Sequence, residues 1–241
     1  MIKVLQNWEE IGRAAKFIER KGLPRHGSTE KCWDYFQLYE LIKDRQRSAP
    51  VLDMGCSGVH TLAFLHRMGF RDLAGLDLHI TLLDRLLQTG RMWRERTWRR
   101  PFRLYRGDLT KTSFGILSFD LITCISVIEH GVDHRAFLHE ASRLLRPAGL
   151  LFLTADYWEA SLHMADASHP YDLPWGILCR QDVIKLLECA SQEGFQLYTP
   201  GDIPSCGDKC IAWNKKEYTF INIAWVKAEG SYSSARLWPV I

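Results

Sequence analysis

The sequence has little net charge and no long apolar segment. Its 31 lysines and arginines are nearly balanced by 28 aspartates and glutamates, and the resulting +3 selects no nucleic-acid partner. The apolar run Leu150–Leu153 is soon interrupted by Asp156, whereas a membrane-spanning helix needs about 20 apolar residues. The first ten residues lack the apolar centre of a secretion signal. These absences predict a soluble, cytoplasmic protein without a membrane span, and they leave its oligomeric state open.

A disulfide framework is also missing. The seven cysteines are odd in number and scattered along the chain, which favours reduced thiols. Cys206 and Cys210 are four residues apart without a second close pair, so they indicate either a zinc site or a loop with two thiols. We expect the loop, and no metal.

What is present is an alternation of strand-like and helix-like segments. Hydrophobic residues make up 46% of the 241 residues and charged residues 24%, which is typical of one large globular domain with additions. Two helical patterns lie between residues 8 and 46. We expect seven strands after them, at about residues 50–54, 72–77, 102–107, 119–125, 150–154, 195–198 and 218–226. Strands that alternate with helices predict parallel βαβ units and the α/β class.

The first of these strands ends in a turn that contains glycine. Residues 51–58, VLDMGCSG, join a short apolar run to a helical pattern. Such a turn lets the backbone approach a ligand closely and points helix N-terminal amides at it. The G-x-G-x-x-G spacing of dinucleotide sites is missing, because no glycine follows Gly58 until Gly69. The spacing therefore weakens a dehydrogenase interpretation.

Five segments in order resemble the class I S-adenosylmethionine-dependent methyltransferases (type 11/12-like). The first is the strand with the glycine turn, in which Ser57 stands where the family usually has glycine. The next two, AGLDL at 74–78 and GDL at 107–109, each end a strand with an acid. Residues 118–130, SFDLITCISVIEH, resemble the fourth strand of that family and its following turn. Residues 143–152, RLLRPAGLLF, resemble its next helix, Pro-Gly turn and fifth strand.

The resemblance implies a fold and a cofactor. The implied fold is a Rossmann-like, seven-stranded, mostly parallel sheet with helices on both faces, an antiparallel last strand and an N-terminal helical extension. The implied cofactor is S-adenosylmethionine, with Asp77 binding the ribose hydroxyls and Asp108 the adenine amino group. The full implied set of cofactor-binding residues is Asp53, Gly55, Cys56, Ser57, Gly58, Asp77, Leu78, Asp108, Leu109 and Ser126. Taken singly, each of the three aspartates could instead be a turn former or a helix cap.

The order of the segments predicts three regions. Residues 1–48 form an N-terminal helical lid, in which Trp33 either covers the cofactor or packs in the core. Residues 49–228 form the methyltransferase domain, with an insertion at about 157–178. This insertion leaves the carboxyl end of a strand, where ligands bind in open α/β sheets. Residues 229–241 form a C-terminal tail.

Side chains at the ends of the fourth and fifth strands are the catalytic candidates. Methyl transfer to an alcohol needs a nearby base, and histidine is the usual one. His130 follows the fourth strand and is predicted as the general base, with Tyr157 as a second candidate. Alternatively, Glu129 and His130 only shape the turn. The further candidates for the acceptor pocket, which are otherwise solvated loop residues, are Asp156, His163 and His169.

The predicted acceptor is a hydroxyl of a small molecule or a saccharide. An RNA methyltransferase is an alternative, because arginines alternate with aromatic residues between residues 91 and 106. A solvated helix face explains that composition more simply. A third interpretation is a non-catalytic module that binds S-adenosylmethionine or a partner, since Ser57 departs from the family pattern.

Overall fold

The computed structural model describes residues 1–81, 102–164 and 167–229, with Tyr171 described by its backbone alone. Its α-helices are α1 (Trp8–Arg20), α2 (Cys32–Ile42), α3 (His60–Arg67), α4 (His134–Leu144) and α5 (Arg180–Gln192). Its strands are β1 (Ile2–Val4), β2 (Val51–Met54), β3 (Leu73–Asp77), β4 (Arg103–Arg106), β5 (Phe119–Ile125), β6 (Leu145–Tyr157), β7 (Phe195–Leu197), β8 (Ile211–Trp213) and β9 (Lys216–Lys227). Short 3₁₀ turns occupy Ser57–Val59 and Pro170–Asp172.

The strands form a mixed sheet in the order β1-β9-β6-β5-β2-β3-β4, with β7 and β8 also paired to β9. The five strands from β6 to β4 are parallel, and β9 runs antiparallel to β6. The predicted α/β, Rossmann-like class with an antiparallel last strand is therefore confirmed. The described sheet has nine strands rather than seven, because β1 and β8, each three residues long, gave no pattern that could be recognised.

The core lies on both faces of the sheet. Strand β2 is buried at all four positions, as expected for a central parallel strand. Apolar residues of α4 and α5, such as Phe137 and Leu186, pack on one face. Apolar residues of α1, α2 and α3, such as Ile18, Leu38 and Leu62, pack on the other. Helices cover both faces, as predicted.

The N-terminal segment is joined to the sheet rather than attached beside it. Strand β1 pairs antiparallel with β9, so that Ile2 is opposite Ile223. Helix α1 begins after Asn7, whose side chain accepts a hydrogen bond from the Glu10 amide at 3.2 Å. Helix α1 packs its buried stripe, which includes Ile11 and Ile18, in the same cluster as α2.

Some predicted features lie outside the described residues. The predicted helix at about 80–98 lies outside the described residues except at its start. The arginine-rich segment, residues 91–106, lies outside as well, apart from its last residues with two arginines. Of these two, Arg103 pairs with Asp72 at 2.6 Å, and Arg106 donates to the Leu78 carbonyl at 3.1 Å. The predicted tail also lies outside, apart from Glu229. Among the described helices, none is long and apolar enough to cross a membrane.

Candidate functional site

The glycine turn lies at the carboxyl end of β2, and both of its glycines have positive φ. Gly55 has φ +79°, and a Cβ built there would approach Val127 Cγ2 to 2.2 Å. Gly58 has φ +69°, and Val59 has φ 54°, which is a strained value for a β-branched residue. Ser57 does not have positive φ. The serine that departs from the family pattern is therefore compatible with the backbone of this turn.

Asp53 is buried within β2, behind the turn. Its carboxylate accepts a hydrogen bond from Thr123 Oγ1 of β5 at 2.6 Å. Burial raises the pKa of Asp53 to about 7, the hydroxyl of Thr123 opposes that shift, and the nearby Asp77 adds to it. The side chain therefore connects two neighbouring strands directly behind the glycine turn.

Asp77 ends β3 and organises the adjacent loops. One carboxylate oxygen accepts from the Ser57 amide at 3.1 Å, and the other accepts from the His79 amide at 2.8 Å. The side chain is half-buried at the same sheet edge as the glycine turn, because β2 and β3 are parallel. Leu78 follows it and is 43% exposed, so an apolar surface lies beside the carboxylate. This combination fits a nucleoside, which has polar ribose hydroxyls and an apolar base.

Asp108 follows β4 and is exposed at the next strand end. Its side chain accepts from the amide and the hydroxyl of Thr110, both at 2.8 Å. Leu109 is buried against the core. The structure thus brings Asp53, Asp77 and Asp108 to three neighbouring strands at one sheet edge, as the sequence predicted. Their individual contacts with the cofactor stay predictions.

The loop between α1 and α2 contacts the start of α3, directly after the glycine turn. The His26 ring centre lies 4.8 Å from that of His60, which begins α3 after the turn. Burial, together with the charges of His60 and Lys31, lowers the pKa of His26 to about 4. The Ser28 amide donates to His26 Nδ1 at 3.0 Å, which agrees with a neutral ring.

A second group of polar side chains lies at the carboxyl ends of β5 and β6. Ser126 follows β5 with φ 52°, and its amide donates to the carbonyl and the hydroxyl oxygens of Thr154. Its hydroxyl accepts from the ammonium of Lys31, the residue that precedes α2. The implied cofactor residue Ser126 is therefore bonded to the N-terminal segment.

Lys31 is surrounded by acids and an aromatic ring. Its Nζ lies 3.5 Å from Asp34 Oδ2 and 4.0 Å from Asp156 Oδ1, and 3.4 Å from the centre of the Phe220 ring. Burial raises the pKa of Asp34 to about 6, although Lys31 opposes the shift. Burial and the charge of Asp156 raise the pKa of Glu129 to about 8. The ammonium of Lys31 thus interacts electrostatically with three buried carboxyl groups. We call them the acidic cluster: Asp34, Glu129 and Asp156.

Asp156 is held by donors from the insertion and from β9. Trp175 Nε1 donates to its Oδ2 at 3.0 Å, and the Tyr218 hydroxyl also donates to its carboxylate. The backbone of Gly176 donates to the Glu129 carbonyl at 2.9 Å. Burial still raises the pKa of Asp156, against the opposing effects of Lys31 and these donors. The insertion is therefore fastened to the acidic cluster.

His130 lies beside the acidic cluster. Its backbone amide donates to the Val127 carbonyl at 3.0 Å, which closes the turn after β5. Burial lowers the pKa of His130 below its ordinary value of 6.5; Asp156 opposes this shift and Lys31 adds to it. The ring is neutral at pH 7, the state that a proton acceptor needs.

The other predicted candidates are spread over the molecule. Tyr157 is buried on the opposite face of the sheet from Asp156, because consecutive side chains of a strand alternate. His163 and His169 are exposed in the insertion. Trp33 is buried in the core, where its Nε1 donates to Glu10 at 2.9 Å. Cys210 is buried, and no group of three metal-binding side chains occurs among the described residues.

Sequence reasoning missed the partners of the acidic cluster. Lys31, Asp34, Trp175 and Tyr218 come from segments that have no recognisable motif. The only signal in these segments is the presence of polar side chains. If the fold buries such side chains, they need hydrogen-bond partners. Nothing in the spacing shows that residues 31, 156 and 218 meet.

A Rossmann-like sheet with acidic side chains at successive strand ends defines a nucleoside-cofactor fold, and the comparisons with known proteins agree. Residues 52–153 match the family described as "Methyltransferase domain". A small RNA 2'-O-methyltransferase from Xenopus tropicalis is 35% identical over 108 residues, which are 40% of this chain and 28% of that protein. A ubiquinone biosynthesis O-methyltransferase from Xanthomonas oryzae pv. oryzae is 32% identical over 149 residues, which are 59% of each chain.

The comparison with solved structures shows the same fold. The chain resembles the geranyl diphosphate C-methyltransferase of Streptomyces coelicolor A3(2), which was solved with S-adenosyl-L-homocysteine. The TM-score is 0.59 at 15% identity, over 86% of each chain. The resemblance to class I S-adenosylmethionine-dependent methyltransferases is confirmed for residues 52–153 by the family match, and the neighbouring solved structures have the same fold. The chain spans less than two thirds of the length of the two curated relatives.

Proposed function

We propose that the protein transfers the methyl group of S-adenosylmethionine to a hydroxyl group of a small molecule or saccharide. The observation that supports this most is the position of His130 and the acidic cluster. His130 and two members of the cluster, Glu129 and Asp156, lie at the ends of β5 and β6, at the same sheet edge as the glycine turn and Asp77. A neutral base beside the cofactor site is what O-methylation requires.

Residues at the ends of β2, β3 and β4 would hold the cofactor. The turn from Gly55 to Gly58 would take its amino-acid part, Asp77 its ribose, and Leu78 and Asp108 its adenine. When bound, S-adenosylmethionine supplies a methyl group on a positively charged sulfur, which is already a strong electrophile. The protein therefore needs to add only orientation and a proton acceptor.

His130 would accept the proton of the acceptor hydroxyl. Its low pKa keeps the ring unprotonated near neutral pH. Asp156, fixed by Trp175 and Tyr218, would stabilise the imidazolium that forms, since the opposite charge favours the protonated ring. Residues 1–48 would cover the cofactor as a lid, and residues 157–178 would form a wall of the acceptor pocket.

The test measures cofactor binding and turnover separately. Calorimetry with S-adenosylmethionine is expected to give a micromolar Kd, and Asp77→Ala is expected to weaken it at least tenfold. Unchanged affinity in that variant would refute the cofactor assignment. Transfer of labelled methyl groups to a catechol, an aliphatic alcohol, a monosaccharide and single-stranded RNA then identifies the acceptor class. Cofactor binding without transfer to any of them would support the non-catalytic module.

Methylation of RNA is a second candidate. It is supported by the named activity of the Xenopus tropicalis relative, which covers 40% of this chain. The arginine-rich segment that suggested RNA binding lies mostly outside the described residues. RNA binding would fall steeply as salt rises, whereas binding of a neutral small acceptor would not.

A further inference from the structure

A cleft of about 690 Å³ lies between the insertion and the β8–β9 hairpin. This volume is in the usual range for small-molecule sites, about 300–1,000 Å³. Three of the residues that line it are lysines, Lys209, Lys215 and Lys216, and one, Glu217, is acidic. His163 of the insertion also lines it. Among the described residues that line the cleft, lysines therefore outnumber acidic residues three to one.

The hairpin connects this cleft to the acidic cluster. Trp213 pairs with Lys216, and Ile211 pairs with Tyr218. Side chains of paired residues, and those two positions apart along a strand, share a face. Tyr218, Trp213 and Lys216 are therefore on one face, with Tyr218 donating to Asp156. Tyr218 and Lys216 are two positions apart along β9, a distance of about 7 Å.

Aromatic rings form the floor between the two ends of this face. Trp175 donates to Asp156, and its ring centre lies 4.9 Å from that of Trp213 at an interplanar angle of 88°. Trp213 is nevertheless 44% exposed. Lys209 Nζ lies 5.0 Å from the centre of the Trp158 ring. The exposed indole of Trp213 therefore lies beside the ammonium groups of the cleft, and the buried Trp175 packs behind it.

The position of the hairpin is fixed by its turn. Asn214 and Lys215 have φ 50° and 62°, the left-handed values of a tight two-residue hairpin. The Asn214 side chain accepts from the amide and the hydroxyl of Ser168 at 3.1 and 2.7 Å, and donates to its carbonyl at 2.9 Å. Both walls of the cleft are therefore held together before any ligand binds.

We propose that this cleft binds a phosphate group of the methyl acceptor, which makes the acceptor a phosphorylated small molecule. That the ligand is the methyl acceptor rests on the proposed function, whereas the phosphate rests on the cleft alone. Lysine ammonium groups bind phosphate as point charges. The phosphate would lie among Lys209, Lys215 and Lys216, beside the exposed indole of Trp213. The packed pair Trp175 and Trp213 and the hydroxyl of Tyr218 connect this face to Asp156, which neighbours His130.

The probe is inorganic pyrophosphate, titrated calorimetrically into the intact chain. We expect binding by the wild type and at least tenfold weaker binding by the double variant Lys209→Gln/Lys216→Gln. The matched control Lys16→Gln/Lys185→Gln removes the same charge from two exposed helix positions and is expected to bind like the wild type. Absence of binding by the wild type, or equal weakening in both double variants, would overturn the proposal.

Two further measurements separate this proposal from the proposed function. S-adenosylmethionine is titrated into the same preparations. A wild type that binds S-adenosylmethionine but not pyrophosphate contradicts only the phosphate site. A wild type that binds pyrophosphate but not S-adenosylmethionine contradicts only the proposed methyltransferase function. Pyrophosphate is also expected to inhibit methyl transfer competitively against the acceptor and not against the cofactor. Single-stranded RNA that displaces pyrophosphate at far lower concentration would indicate a nucleic-acid acceptor and overturn a small molecule.

Discussion

At the residue scale, the most unusual feature is the number of carboxyl groups that the fold buries near a single ammonium. Asp53 lies alone under the glycine turn with a hydroxyl as its partner. Asp34, Glu129 and Asp156 share Lys31. Burial disfavours the charged form of each acid, so these side chains carry protons at pH values where exposed acids do not.

Replacing Asp53 with asparagine is expected to stabilise the protein at high pH. The folded-state pKa of Asp53, about 7, is above its ordinary value of 3.8, so the folded state binds the proton more tightly. Stability is therefore lost as pH rises from about 4 to 7, by about 1.4 kcal/mol for each unit of the shift. Asp53→Asn keeps an oxygen for Thr123 and removes the charge. Its Tm should exceed that of the wild type at pH 8, with little difference at pH 4; a constant difference would contradict this account.

Replacing His130 with glutamine is expected to lower kcat about 10²–10⁴-fold, because it removes the general base. The base works unprotonated, so wild-type kcat/KM is expected to fall with decreasing pH, with a midpoint below 6.5. This acidic limb should be absent from the residual activity of the variant. Calorimetry of S-adenosylmethionine binding is the control and should be unchanged. A limb that persists in His130→Gln would assign the titration to another group.

At the element scale, the N-terminal helices and the hairpin are both attached to the sheet edge by a few polar contacts. Lys31 connects the start of α2 with Ser126 after β5 and with Asp156 of β6. Asn214 connects the hairpin with the insertion. Each attachment can be tested by replacing one side chain, Lys31 or Asn214.

Lys31→Met is expected to destabilise the protein by about 3–5 kcal/mol near pH 7, because it leaves buried carboxylates without their cation. Asp34 has a pKa of about 6 in the presence of Lys31, so protonation at lower pH relieves the unpaired charge. Tm measured across pH should therefore differ most from the wild type above pH 6. Lys43→Met, which removes an exposed lysine paired with Glu40, is the control and should show no such pH dependence.

Asn214→Gly is expected to separate the hairpin from the insertion while keeping the left-handed turn, which glycine adopts without strain. The three hydrogen bonds to Ser168 are lost. KM for the acceptor should rise several-fold, with cofactor affinity unchanged. Asn222→Gly would be a poor comparison because that residue is buried, so the matched control is Asn7→Gly at the half-buried N-cap of α1, which also loses a side-chain hydrogen bond. An equal rise in KM in that control would rule out a specific effect of the turn.

The sequence was sufficient for the elements that have strong periodicity or a motif. The strand 119–125 and the helix after Asp133 appear where their patterns predicted them. The strand expected at 150–154 extends to 145–157, because Leu145 already pairs with Phe119 of β5 and pairing with β9 continues to Tyr157. The acidic cluster and its partners were not predictable. Lys31 and Tyr218 both contact Asp156 only because the fold brings three distant segments together. Pairing of distant segments leaves no local pattern.

At the scale of the whole molecule, the cofactor is expected to stabilise the fold by binding the native state alone. At 100 times Kd, this stabilisation is about 2.7 kcal/mol, which corresponds to an increase in Tm of about 5–10 °C for a chain of this length. S-adenosylhomocysteine should have the same effect, and Asp77→Ala should lose most of it. A ligand-independent Tm in the wild type would contradict the assignment of the sheet edge to this cofactor.

The central position of β9 has a consequence for how the chain folds. This strand pairs with β1, β6, β7 and β8, although β1 precedes it by more than 200 residues. During synthesis, the long edge of β6 therefore has no neighbour on that side until residues 216–227 have left the ribosome. Contacts this distant in sequence slow folding and leave strand edges open to other chains. The yield of folded protein should thus depend on chaperones and temperature more than its native stability would suggest.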